Sequence, residues 1–403
     1  MMENVEKFLE ERTFVVGEDS PLRRAPLLGI LLLAAGAAGS AWLAAYDPTR
    51  FFFSYLAAFF FFLTLSLGGL IFVLIQLVTR AGWSVTVRRL AEQAAALLPL
   101  FAVLFIPILL GGRHLYEWTH AEAVAQDPLL QHKASYLNLS FFNLRSVFYL
   151  LLWAGLGWWF HRQSKMMAEG DPVERLRRLQ IFSAPAIVLF AFTLTFAAFD
   201  WVMSLDPHWY STIFGVYIFA GSFVSILAFL ILRVQLLQAH GLLEGLVTSE
   251  HFHDLGKLLF GFVVFWAYIA FSQFMLIWYA AIPEETAWYA HRLEHGWEYV
   301  TLLLAIGHFV GPFFFLLSRE IKRKRLALGL AAGWLLTMHY VDIYWLILPA
   351  APGRAFQPHL LDLTTFLAVA GVFVIGTGIL TAREPLIPRR DPRLAESLRF
   401  ENL

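Results

Sequence analysis

Ten runs of about twenty apolar residues, joined by short polar segments, dictate what this chain can become. They fall at about 25–45, 51–78, 91–111, 146–161, 181–201, 211–238, 257–281, 298–318, 326–348 and 361–382. A bilayer offers no water to backbone N–H and C=O groups, so runs of this length cross it as helices that satisfy themselves. The chain is therefore expected to be an all-α integral membrane protein with about ten transmembrane helices. Charged residues make up 15% of its 403 residues, against about a quarter in soluble domains. The fourth run is the shortest, with a start that could reach back to Phe141.

Lys and Arg divide unequally between alternate connections, about 22 to 6. Arg23, Arg24, Arg80, Arg88, Arg89, Arg162, Lys165, Arg175, Arg177, Arg178, Arg319, Lys322–Arg325, Arg383, Arg389 and Arg390 share one side. Arg50, Arg113, Lys133, Arg145, Arg292 and Arg354 have the other. The positive-inside rule puts both termini in the cytoplasm. Three parts follow: a cytoplasmic segment 1–24, a transmembrane domain 25–382 with outer loops at about 112–145 and 282–297, and a cytoplasmic tail 383–403. The acidic first residues lack a signal-peptide core, so export processing is not expected. Zero net charge argues against a nucleic-acid partner. The absence of cysteine removes disulfides and cysteine-ligated clusters.

Ionisable groups inside spans are expensive and therefore informative. In TMHYVDIYW, His339 and Asp342 are three residues apart and share a face of helix nine. His308 on helix eight lies at similar depth, and the short SREIKRKR connection makes the two helices neighbours. The three groups are expected to converge. A bis-histidine haem, an imidazole pair satisfied by neighbours and a proton relay all fit; a relay is favoured because Tyr340 and Tyr344 accompany the pair. Asp200, ending helix five, and Tyr217 on helix six could extend it, as could Asp254 and Lys257 opening helix seven. Ser222, Ser225, Ser272, Gln273, Thr64, Ser66 and Gln76 could extend the path as well, though each hydroxyl singly reads more as a packing group than a relay member, and Arg233 reads as a snorkelling cation. The SEHFHDLGK tract resembles a metal site, but Ser249 as an N-cap with nearby acids explains it more simply. Pro99 and Pro107 interrupt helix three, and no matching interruption is expected in the second half, which counts against a transporter built from repeats. Neither outer loop has a phosphate cradle, a nucleophile elbow or a spaced carboxylate pair, so a soluble catalytic domain is not expected.

Three long strings, FDWVMSLDPHWYSTIFGVYIFAGS, HDLGKLLFGFVVFWAYIAFSQFMLIWYAAIPEET and QHKASYLNLSFFNLR, resemble the ActF-type subunits of bacterial alternative complex III. These form a branch of the NrfD/PsrC-like membrane proteins, and the likeness runs from helix one to helix ten. The resemblance implies two four-helix bundles, helices 2–5 and 6–9, framed by helices 1 and 10. It implies a place in the bacterial cytoplasmic membrane, within a quinol:electron-acceptor oxidoreductase. The implied partners are an NrfD-like C-type subunit, an iron–sulfur subunit, c-type cytochrome subunits and small membrane subunits. Haem c and iron–sulfur clusters would then sit in those partners and no cofactor in this chain, with menaquinone a possible ligand.

One departure bears on the role. Where C-type relatives resemble H-x-T-I-F-P-P-Y, this chain has Tyr210-Ser211-Thr212-Ile213-Phe214-Gly215-Val216-Tyr217. The missing prolines and the exchanged histidine count against a quinol-oxidising site there. A proton-conducting subunit is the leading expectation, through Asp342, His339, His308, Asp200, Tyr217, Tyr340, Asp254 and Lys257. The alternatives are a menaquinol-oxidising site built from Asp200, His208, Arg113 and His114, or a structural anchor. Asp206 and His208 are expected in a tight outer turn set by Asp206-Pro207.

Overall fold

The computed structural model describes residues 14–353 and 355–401; what was expected of residues 1–13, Arg354 and 402–403 lies outside the described residues. Among the described residues there are helices and no strand. Ten helices among them are long and apolar enough to cross a membrane: α1 Pro21–Ala44, α2 Pro48–Val78, α3 Val85–Leu110, α4 Leu139–Ala168, α5 Pro172–Leu205, α6 Phe214–Ala239, α7 Ser249–Ala280, α8 Trp297–Leu317, α9 Arg325–Ala350 and α10 Leu360–Arg383. Each coincides with one of the ten apolar runs to within a few residues at the ends of most. Helix α4 begins ahead of its run because Asn138 caps it, its side chain accepting from the Phe141 amide at 2.9 Å.

Short connections make successive helices antiparallel. One face of the molecule carries the helical connections Ala121–Gln126, Pro128–Lys133 and Pro283–Ala290, and is called the loop face. The opposite, basic face carries the tail helix Leu394–Leu398. Helices α2 and α6 are the most enclosed, 94% and 78% buried along their most apolar stretches. They pack against each other at the centre and join the bundle α2–α5 to the bundle α6–α9. The α1–α10 pair flanks them, with α10 also against α2.

The α1–α10 contact is made backbone to backbone. A Cβ at Gly36 would lie 2.3 Å from the Ala368 amide nitrogen, and one at Gly371 2.4 Å from that of Leu33. Only glycine permits this approach, which replaces hydrophobic driving force with close packing in lipid. The Ser40 hydroxyl donates to Thr364 Oγ1 at 3.0 Å across the same seam. Leu27, Leu31 and Trp42 are left on the exposed side of α1.

Two spans are irregular. Helix α3 breaks into Val85–Ala95, Leu98–Leu104 and Ile106–Leu110, with Pro99 and Pro107 in the first turns of the later segments. Helix α8 widens into a π-helical segment at Leu304–Val310, directly before Gly311-Pro312. Pro312 has no N–H to donate and its ring crowds the carbonyl four residues back, that of His308. The second half of the chain therefore has an interrupted helix after all, and His308 lies within the interruption.

On the basic face the tail is bolted to the bundle by ions. Arg88, 2% exposed, pairs with Glu92 at 3.2 Å and with Asp391 of the tail. Glu384, just past α10, takes His161 at 3.0 Å and Lys165 at 2.6 Å from the end of α4. Burial alone would raise the Glu384 pKa, but the hydrogen bonds and charges of His161 and Lys165 outweigh it and hold it at about 2.

Candidate functional site

The polar centre of the second bundle is assembled on α9. At 1.5 Å per residue, Asp342 and His339 lie about 12 and 16 Å below the loop-face end of that helix. Asp342 is 2% exposed. Its carboxylate accepts the Tyr217 hydroxyl from α6 and the Trp266 indole N–H from α7, the latter at 3.1 Å. Among the described residues it has no ion-pair partner.

His339 lies one turn away on the same face, with Nε2 3.0 Å from Thr64 Oγ1 on α2. The one Thr64 hydroxyl proton goes to the Phe61 carbonyl at 2.9 Å. Thr64 must therefore accept from His339, which assigns the proton of the neutral ring to Nε2 and leaves Nδ1 a bare acceptor. Nδ1 is buried and unpartnered among the described residues. A Cβ at Gly221 would lie 3.0 Å from this Nδ1 and 3.8 Å from Asp342 Oδ2. Gly221 thus keeps the space between the base and the acid open.

His308 joins the cluster by stacking. Its ring lies 3.9 Å from that of Trp266, inclined by 30°. It is fully buried, with no hydrogen-bond partner for either ring nitrogen among the described residues. The expected convergence of His308, His339 and Asp342 is present, but Trp266 stands between His308 and the acid. The arrangement of acid, bare imidazole nitrogen and π-segment histidine suits proton exchange; π-segments recur at functional sites. Among the described residues no group of three His, Asp or Glu is placed to hold a metal ion.

Tyr340 and Tyr344 do not accompany this cluster. They point to α10, because one residue along a helix turns the side chain to another face. The Tyr344 hydroxyl donates to Asp362 Oδ2 at 3.0 Å, Arg50 Nη2 reaches the same oxygen at 2.7 Å, and Ser54 donates to Asp362 Oδ1 at 2.6 Å. The Tyr340 hydroxyl donates to the Asp362 carbonyl, at 3.4 Å. The Phe61 ring packs against both His339 and Tyr340, with centroids 5.7 and 5.6 Å away.

Asp200 belongs elsewhere, in the first bundle. It is fully buried and gripped by Arg145, whose Nε and Nη2 each donate at 2.8 Å, while the Tyr149 hydroxyl donates at 3.0 Å. The Arg145 guanidinium lies over the Tyr136 ring at 3.8 Å. This is a closed ion pair whose carboxylate accepts three hydrogen bonds. The other residues of the menaquinol alternative do not gather around it. His208 pairs with Asp127 at 2.6 Å in an exposed turn, closed by Trp209 N donating to Asp206 O at 3.1 Å. His114 is exposed, stacked on Phe52 at 5.0 Å and 3.2 Å from Thr49 Oγ1, and Arg113 is exposed beside it.

Asp254 and Lys257 pair with each other at the basic-face start of α7. The N-cap there is Thr248, not Ser249: Thr248 Oγ1 accepts from Glu250 N at 3.3 Å, while the Thr248 amide donates to His251 Nδ1 at 3.1 Å. Ser222 and Ser225 return their hydroxyls to their own helix at 2.7 and 2.8 Å, the packing role expected of them. Arg233 reaches Thr381 on α10.

No sequence pattern marks Trp266, Gly221 or the Arg50–Asp362 pair. The first two look like ordinary membrane-helix residues. Arg50 and Asp362 stand 312 positions apart. No protein-family model and no curated protein matches this sequence.

Proposed function

We propose that this chain is a proton-conducting membrane subunit of a quinol:electron-acceptor oxidoreductase, an ActF-type subunit of an alternative complex III. The observation that carries the proton role is Asp342: a carboxylate buried within a span, held by two neutral donors and no cation, facing a bare imidazole nitrogen across Gly221. Intramembrane acids without a counter-ion mark ion and proton pathways. The placement in the complex rests on the three resembling strings and their missing proline pair.

In this account both termini face the bacterial cytoplasm and the loop face is extracytoplasmic. A proton on the Asp342 carboxyl passes to His339 Nδ1. Loss of the opposite proton from Nε2 to Thr64 Oγ1, which gives up its own hydroxyl proton toward the basic face as it accepts, leaves the ring as the Nδ1–H tautomer. Tyr217 and Trp266 hold the carboxylate through the exchange. Ser66 Oγ and Gln76 Oε1, buried on α2 and unpartnered among the described residues, continue toward the basic face, where Asp254 and Lys257 stand. The Arg50–Asp362–Tyr344 cluster lies at the loop-face end. Electron transfer occurs in the iron–sulfur and c-type cytochrome partners, beside the C-type subunit.

The test is Asp342→Asn in the assembled complex, reconstituted in vesicles. Quinol oxidation is expected to continue while protons moved per electron fall. Unchanged proton translocation would sink the proposal.

A further inference from the structure

A second feature of the α6–α9 bundle lies on the loop-face side of Asp342. A cavity of about 300 Å³ runs between α7 and α8, with Tyr217 and Trp266 lining it along with Arg292, Tyr289 and Gln273 from the loop-face side. Its remaining wall is almost wholly apolar, and at Phe271 and Val310 it reaches side chains exposed on the lipid-facing surface, 61% and 41% respectively. A mostly apolar pocket of this volume with a few convergent polar groups has the form of a small-molecule site.

Arg292 gives the site its charge preference. It is 3% exposed. Its guanidinium donates to the carbonyls of Trp345, Trp288 and Leu346 at 3.2, 3.0 and 2.9 Å and lies 3.4 Å over the Trp288 ring. Those bonds orient the group and use three of its five N–H protons, but none neutralises it. Asp206 is the carboxylate that acts on it, and among the described residues the two form no ion pair. Buried cations are ordinarily paired. Beside it, Tyr289 accepts from Gln273 Nε2 at 3.0 Å, which leaves the tyrosine hydroxyl proton to give. Two donors, one of them cationic, thus stand at the polar end of an apolar slot.

We infer that this cavity binds an anionic amphiphile from the bilayer, its carboxylate or phosphate oxygens on Arg292 and Tyr289 and its acyl chain along Trp266. The site stands independently of the proton role, and its occupant would touch the two residues that hold Asp342.

Tryptophan quenching by brominated acyl chains tests this on the full chain in its purified assembly, in lipid nanodiscs. The Trp266 contribution is the difference between wild type and Trp266→Phe. Dibrominated phosphatidylglycerol and free dibrominated fatty acid form the anionic arms, and dibrominated phosphatidylcholine the neutral one. Stronger quenching by either anionic arm supports the site and says whether phosphate or carboxylate fills it. Arg292→Gln is expected to weaken the favoured anion by about ten-fold. Ala270→Phe, which fills the cavity and keeps Arg292, is expected to abolish Trp266 quenching, and decides the matter should Arg292→Gln not fold. Equal quenching by the neutral lipid, quenching that survives Ala270→Phe, or no Trp266 quenching by any arm would overturn the inference.

Discussion

Gly221 on α6 stands against His339 on α9 with no room for a methyl group. A Cβ at position 221 would lie 2.9 Å from Cε1 and 3.0 Å from Nδ1 of the imidazole. The smallest possible side chain thus sits where a buried acid and a buried base look toward each other, and that contact can be probed without touching either titrating group.

Gly221→Ala should displace the His339 ring and stretch its 3.0 Å contact with Thr64. Overpacking of this kind costs about 1–3 kcal/mol, so the variant should fold with a lowered thermal midpoint. Proton translocation per electron should fall with it. Thr64→Val, which removes the acceptor from His339 Nε2–H, should reproduce the loss of coupling without the steric cost. Full coupling in both variants would detach His339 from the pathway.

Arg145 and Asp200 should behave as a structural pair. Removing one partner leaves a buried, uncompensated charge, at a cost of about 3–5 kcal/mol, whereas replacing both with apolar residues is often nearly neutral. Arg145→Met alone and Asp200→Leu alone should each lower the unfolding temperature sharply in detergent, and the double variant should recover most of the loss. A double variant as unstable as the worse single one would show a role beyond pairing.

The depressed pKa of Glu384 gives the tail contact a pH dependence of known sign. Its folded value is held at about 2, below the ordinary value of about 4.3. The carboxylate therefore contributes stability that is fully present above about pH 4.3 and is lost as pH falls toward 2. Glu384→Gln should be less stable than wild type at neutral pH, and the gap between their melting temperatures should close as the buffer is acidified through that window. A gap that is constant with pH would mean that His161 and Lys165 do not recognise the charge.

The spans were legible because twenty apolar residues in a row have one stable form in lipid. The start of α4 was legible only as a reach back to Phe141, since Asn138 and Arg145 break the apolar run while the cap and the Asp200 pair allow the helix to continue through it. Matched depth and i,i+3 spacing identified His308, His339 and Asp342. What spacing could not supply was the identity of the partners. Trp266 between His308 and Asp342, Gly221 beside His339, and Arg145 on Asp200 all come from other helices, brought in by packing. Tyr340 and Tyr344 adjoin the acid and the base in sequence but face α10, because a step of one or two residues along a helix turns a side chain away. The π-segment was written in Gly311-Pro312, a signal that points backward to His308.

The most direct test of the central claim is infrared difference spectroscopy of the assembled complex during turnover. If protons move through Asp342, quinol addition should produce a deuterium-sensitive carboxyl C=O difference band that disappears in Asp342→Asn while quinol oxidation continues. The same band should shift in Tyr217→Phe and Trp266→Phe, the two donors to that carboxylate. A band unchanged by Asp342→Asn, or turnover with no carboxyl signal in the wild type, would contradict the account.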